Sequence, residues 1–145
     1  MNITGSHSVP ASRERVWELL HDPDALQRMV PGCQSLDAET PQKFSATLAV
    51  GVGPIRGRFS GSVEIEDVAV PESYKMTLNG QGPTGFVSGE GMINLTEDGE
   101  STLVEVEADA QVGGTLAQIG SRMIQTAVRM LMGQFFDALS REASP

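Results

Sequence analysis

A chain of 145 residues, 39% hydrophobic and 20% charged, is one domain long enough to bury a core without disulfides or metal, and too apolar to be disordered. Nineteen acidic against ten basic residues leave a net charge of −9, which repels a nucleic-acid backbone and is expected to weaken contact with an anionic membrane. Cys33 is the only cysteine, which excludes an internal disulfide and suits a reducing compartment.

The opening MNITGSHSVPASRER lacks the apolar core of a secretory signal, and no apolar run approaches the ~18 residues of a spanning helix. A cytoplasmic location is expected. A first strand runs from Asn2 to Val9 and stops at Pro10. Ser12 can cap a helix reaching Leu20, with Val16, Trp17, Leu19 and Leu20 on its apolar side. Asp22-Pro23 then places a capping side chain before a proline at the first helical position, and this second helix ends at Pro31-Gly32.

Six strands follow, the first over Cys33 to Glu39. Between Phe44 and Val52 the even positions are apolar. Between Ile55 and Ile65 the odd ones are apolar or glycine, and the intervening Arg56, Arg58, Ser60, Ser62 and Glu64 are polar. Tyr74, Met76 and Leu78 continue the pattern, then Val87, Gly89, Gly91, Ile93 and Leu95, then Val104, Val106, Ala108, Ala110 and Val112. Alternation of this kind marks an antiparallel sheet wet on one face. The last element reads as one helix from Thr115 to Arg141, roughly 40 Å long at 1.5 Å per residue. Its polar stripe (Gln118, Arg122, Gln125, Arg129, Gly133, Asp137) is narrow, and the apolar arc is wider than one sheet contact requires. The order strand, two short helices, six strands, long helix implies an α+β fold, a curved seven-stranded antiparallel sheet gripping the C-terminal helix in a single domain over residues 1–145.

Catalytic chemistry finds little to work with. His7 and His21 cannot make a metal cluster with Cys33 at any ligand spacing, so no metal is expected, and all three read as structural residues. GVGPIRG is neither a dinucleotide loop nor a phosphate loop. The inward strand phase carries almost no ionisable group, which leaves acid–base chemistry without players and points away from an enzyme.

The glycines admit two readings. Curvature accounts for Gly51 and Gly53 around Pro54. Gly57, Gly61, Gly89 and Gly91 fall on the inward phase with Ala108 and Ala110, where small residues would leave volume, and Gly120 and Ala127 add small positions on the helix. Met123, Met130 and Met132 supply adaptable thioethers opposite them, a combination suited to an apolar ligand.

The segments VPASRERVWELLHDPDALQRMVPGCQSL, VGVGPIRGRFSGSVEI, GQGPTGFVSGEGMINL and VGGTLAQIGSRMI resemble the CoxG family of carbon monoxide dehydrogenase accessory proteins, over about Val9 to Phe136. The resemblance implies the helix-grip, START-like fold of the SRPBCC superfamily and a deep sheet–helix cavity. It further implies an accessory role to a molybdenum-containing carbon monoxide dehydrogenase at the inner face of the cytoplasmic membrane, handling its quinone. No covalent cofactor is expected; the implied ligand is a quinone of menaquinone type or a lipid. On this reading the cavity is lined by Phe44, Leu48, Phe59, Val63, Met76, Leu78, Leu116, Gly120, Met123, Ala127 and Met130, and its mouth by Leu26, Met29, Val30 and Pro31. Membrane contact is expected to be apolar and local, through Phe135, Phe136 and Leu139. Two alternatives stay open: a helix-grip cyclase or hydrolase acting on a hydrophobic molecule, and an adaptor whose helix docks on a partner protein.

Overall fold

The protein is described over residues 1–144 by a computed structural model. Strand β1 (Asn2–Val9) leads into α1 (Arg13–Leu20), where the Ser12 hydroxyl accepts from the Arg15 amide at 3.2 Å. Asp22 caps α2 (Pro23–Met29), accepting from the Asp24 amide at 3.0 Å, with Pro23 in the first turn, where its missing N–H costs nothing. Six strands follow: β2 (Cys33–Thr40), β3 (Lys43–Val52), β4 (Ile55–Ala69), β5 (Ser73–Gly82), β6 (Gly85–Asp98) and β7 (Ser101–Gly113). All neighbours pair antiparallel, in the order β1-β7-β6-β5-β4-β3-β2. Since β1 joins β7 at one edge and β2 lies at the other, α1 and α2 carry the chain across the width of the sheet.

The C-terminal region departs from the single helix expected. Gly114–Ile119 form a 3-10 helix, Gly120 breaks the chain direction at φ +95°, and α3 occupies Ser121–Ala143. Gly120 is therefore a hinge between two helical pieces, a conformation L side chains rarely adopt. The 3-10 helix is tied to the β5–β6 turn by the Leu116 amide and the Thr115 hydroxyl, both donating to the Thr84 carbonyl. At its far end α3 is held to α2, where Arg28 makes a two-point contact with the Glu142 carboxylate at 2.6 and 3.3 Å.

One face of the sheet carries the helices and the core. Val9, Val16, Leu19, Met29, Phe44, Ile65, Tyr74, Ile93, Leu95, Val104, Phe136 and Leu139 form one buried cluster between α1, α2, the C-terminal half of α3 and the adjacent ends of the strands. Along the strands the alternation read from the sequence holds, with Gly91, Ile93 and Leu95 buried while Met92, Asn94 and Thr96 are exposed.

Candidate functional site

The helix-bearing face of the sheet has two unlike ends. Behind α1 and α2 its side chains are buried. Toward the β3–β4 and β5–β6 turns the same strands leave Leu48, Phe59, Val63, Met76 and Val87 only half-buried, and Leu78 is 36% exposed. The cause is the position of α3. It packs on β1, α1, α2 and the 3-10 helix, with Met132 against Gly5 and Phe136 stacked on His7 at 4.1 Å, so it lies over one edge of the sheet. The result is an apolar trough floored by β3–β6, with α3 on the β1 side. On the β2 side stands the α2–β2 junction, where the Gly32 carbonyl accepts from the Ala49 amide at 2.9 Å.

The expected lining residues divide accordingly. Leu48, Phe59, Val63, Met76 and Leu78 come together on the trough floor, and Leu26, Val30 and Pro31 are half-buried at its β2 side. Phe44 and Met29 are core residues instead, because α1 and α2 seal that end of the sheet. Leu116 is buried beside Gly85, and Gly120 is the exposed hinge. Ala127 is 4% exposed, so its small side chain reflects close packing rather than free volume. Met123 and Met130, one heptad apart, stand 52% and 50% exposed on an outer flank of α3. Phe136 and Leu139 are buried and Phe135 packs against the core, so the end of α3 offers no apolar membrane contact.

The inward glycines answer to backbone geometry, which corrects the volume reading. A Cβ on Gly61 would collide with the Asn79 carbonyl oxygen, and one on Gly89 would lie 2.6 Å from that of Asp109. Sharp bending brings neighbouring strands together on the inner face, and only glycine tolerates the approach. The trough therefore exists because the sheet is bent and α3 is offset.

Polar chemistry on this face is sparse. Trp17, His21 and Tyr74 form an aromatic group at its closed end: His21 stacks on Trp17 at 4.3 Å and meets Tyr74 edge-on at 4.6 Å. His21 Nδ1 lies 2.7 Å from the Trp17 carbonyl, which fixes the proton on that nitrogen and leaves Nε2 buried without a partner. Burial lowers the His21 pKa and raises that of the Tyr74 phenol. Sequence reasoning missed this trio; the Trp17–His21 spacing of one helical turn was the available signal. Burial also pushes the Cys33 thiol up, and its Sγ donates to the Ser35 carbonyl, so Cys33 is half-buried and held at the start of β2. Among the described residues, no three His, Cys, Asp or Glu side chains converge as metal ligands, and no helix is long and apolar enough to cross a membrane. Two shallow surface depressions, of about 600 and 370 Å³, lie on the opposite face. They are lined by Ser60, Ser62, Asn79, Gln81 and Ser88, and by Thr4, Ser6, Asn94, Glu105 and Glu107, a wet surface unsuited to an apolar ligand.

Comparison with known proteins matches this geometry. A conserved protein from Geobacillus kaustophilus is 35% identical, with a TM-score of 0.94 over 99% of this chain and 95% of its own. A START superfamily protein from Mycobacterium smegmatis shares 15% identity at a TM-score of 0.80, over 98% and 96% of the two chains. The ZhuI aromatase/cyclase from Streptomyces sp. R1128 shares 16% at 0.70, over 99% and 93%. These two more distant likenesses establish the START-like fold. No curated protein matches the sequence. The family model for the CoxG subunit of carbon monoxide dehydrogenase matches residues 5–144, and the chain belongs to that family.

Proposed function

We propose that this protein is a non-catalytic binder of a long apolar molecule, a quinone of menaquinone type, which it holds in the open trough in the service of a molybdenum-containing carbon monoxide dehydrogenase. The reading is carried by one observation: a contiguous apolar floor (Leu48, Phe59, Val63, Met76, Leu78, Val87) left part-exposed in a chain that buries its other inward strand ends. Apolar area removed from water is worth roughly 25 cal/mol per Å², so an isoprenoid tail laid along this floor gains most of its binding energy without a polar contact. Membership of the CoxG family supplies the enzyme partner and the quinone class.

An acid–base role would need ionisable groups that converge on a substrate. His21 and Tyr74 are the nearest candidates, and they stand at the closed end, with His21 Nδ1 engaged by the Trp17 carbonyl. Native mass spectrometry of freshly purified protein tests the proposal. A co-purifying quinone or lipid, displaced by added menaquinone analogue and recovered unchanged, is the expected result. Conversion of an added polyketide or ester substrate, abolished by His21→Ala, would favour an enzyme instead.

A further inference from the structure

The net charge of −9 conceals a sharp segregation. No carboxylate occurs between Glu39 and Glu64, between Glu72 and Glu90, or between Asp109 and Asp137. Strand register turns these three separate gaps into one region. Lys43 pairs with Glu64, Glu64 with Thr77, Thr77 with Glu90, and Glu90 with Asp109, so a single rung across β3–β7 marks the boundary. Ahead of it, toward the β3–β4 and β5–β6 turns, those strands carry no acid; on the edge strand β2, Asp37 stands one rung forward, opposite Ser45. The 3-10 helix and the start of α3 join the same end, through the hydrogen bonds to the Thr84 carbonyl.

Four arginines stand in this acid-free end: Arg56 and Arg58 beside the β3–β4 turn, Arg122 and Arg129 on α3. All four are exposed, and none is ion-paired among the described residues, whereas Arg13, Arg15, Arg28, Lys43 and Lys75 each have a carboxylate partner. Exposed large apolar side chains lie among them, namely Phe86, Met123 and Met130, and the trough opens at this end. Glu64 is nine residues of strand from Ile55, roughly 30 Å at ~3.3 Å per residue. That is several times the ~8 Å screening length of physiological salt, so the distant acidic half does not cancel the local positive field.

We propose that this end of the molecule is a docking face for an anionic lipid bilayer, the arginines meeting phosphate headgroups while Phe86, Met123 and Met130 enter the interface. Unpaired cations interspersed with exposed apolar side chains fit a surface that is negative outside and apolar beneath. An acidic protein surface would match the charge but would leave the open trough without a purpose. The proposal deepens the ligand-binding reading, since docking here would place the trough mouth against the membrane, yet it can be tested without any ligand.

The test is flotation of ligand-free protein with vesicles of phosphatidylcholine alone and with about 30% phosphatidylglycerol. Binding is expected to the anionic vesicles only and to weaken with added salt. An arginine near such a surface is worth about fivefold in affinity, so R56Q/R58Q should bind roughly 25-fold more weakly, while R15Q, at the acidic end, should bind like the parent. Met123→Ser with Met130→Ser should lower binding at high salt, where the apolar contribution dominates. Circular dichroism checks that each variant is folded. The docking face is overturned if the parent ignores anionic vesicles, if R56Q/R58Q binds them unchanged, or if the arginine variants lose only an acidic protein partner. Uptake of a fluorescent apolar probe from solution is measured in parallel and should survive R56Q/R58Q. A parent that docks but takes up no probe defeats the trough reading alone; one that takes up probe but does not dock defeats the docking face alone.

Discussion

At the scale of single residues, His21 is the side chain whose environment departs most from what its type suggests. It is sandwiched by Trp17 and Tyr74, gives its one proton to the Trp17 carbonyl, and has its other nitrogen buried without a partner. Protonation would put a charge where no acceptor waits, and burial accordingly lowers its pKa below the ordinary 6.5. The sign of the consequence follows from proton counting. Just below pH 6.5 the unfolded chain binds a proton that the folded chain refuses, so the stability contributed by neutral His21 is complete above 6.5 and is lost as pH falls toward the folded-state pKa. Urea unfolding of the parent should therefore weaken between about pH 7 and 5.5 more steeply than that of His21→Phe. The variant keeps the stacking and loses a hydrogen bond worth roughly 0.5–1.5 kcal/mol, so it should start lower at neutral pH and fall less. Equal slopes in the two proteins would remove His21 from the account.

At the scale of elements, the sheet was the most legible part of the chain and its curvature the least. Period-two alternation names which face of each strand is apolar, and β3 through β7 obey it residue by residue. It cannot say which end of that face a helix covers, so Phe44 and Leu48, four residues apart on one strand, looked equivalent and prove to be core and trough floor. The C-terminal helix failed for a related reason. Gly120 carried no local signal separating a small residue facing a cavity from a hinge, and only the ties of the 3-10 helix to Thr84 and of α3 to β1 decide it. The glycine-rich strands were read for volume where the cause was close backbone approach, and a paired substitution checks that correction. Gly61 and Gly80 are register partners on β4 and β5. A methyl group at Gly61 meets the Asn79 carbonyl, whereas one at Gly80 finds nothing closer than 3.9 Å. Gly61→Ala should cost about 1–3 kcal/mol by forcing the strands apart. Gly80→Ala should be neutral or stabilise by up to ~1 kcal/mol, since it restricts the unfolded chain. A Gly61→Ala protein as stable as the parent would mean that the bend does not depend on this contact.

At the scale of the whole molecule, the offset of α3 divides one apolar sheet face between two tasks, with the ends behind α1 and α2 holding the fold together and the ends near the turns left for a ligand. If that division is real, stability and binding can be separated by substitutions on neighbouring strands. Ile65, 6% exposed, belongs to the closed end of β4, and Leu78, 36% exposed, to the open end of β5. Ile65→Ala removes buried methyl groups and leaves a gap, which typically costs about 2–5 kcal/mol. The trough floor is untouched, so the folded variant should still bind. Leu78→Asp gives up little packing and should change stability by about 1 kcal/mol or less, but it sets a charge in the floor where an apolar chain would lie, a desolvation cost that nothing nearby offsets. The measurement is denaturant unfolding with and without a short-chain menaquinone analogue. A ligand at a hundred times its dissociation constant adds about 2.7 kcal/mol to a protein that binds it only when folded. That increment should appear in the parent and in Ile65→Ala, whose unliganded stability is low, and should vanish in Leu78→Asp, whose unliganded stability is near the parent's. Were the increment to survive Leu78→Asp and disappear in Ile65→Ala, the ligand would have to enter among the core residues behind α1, and the open end of the sheet would not be the binding site.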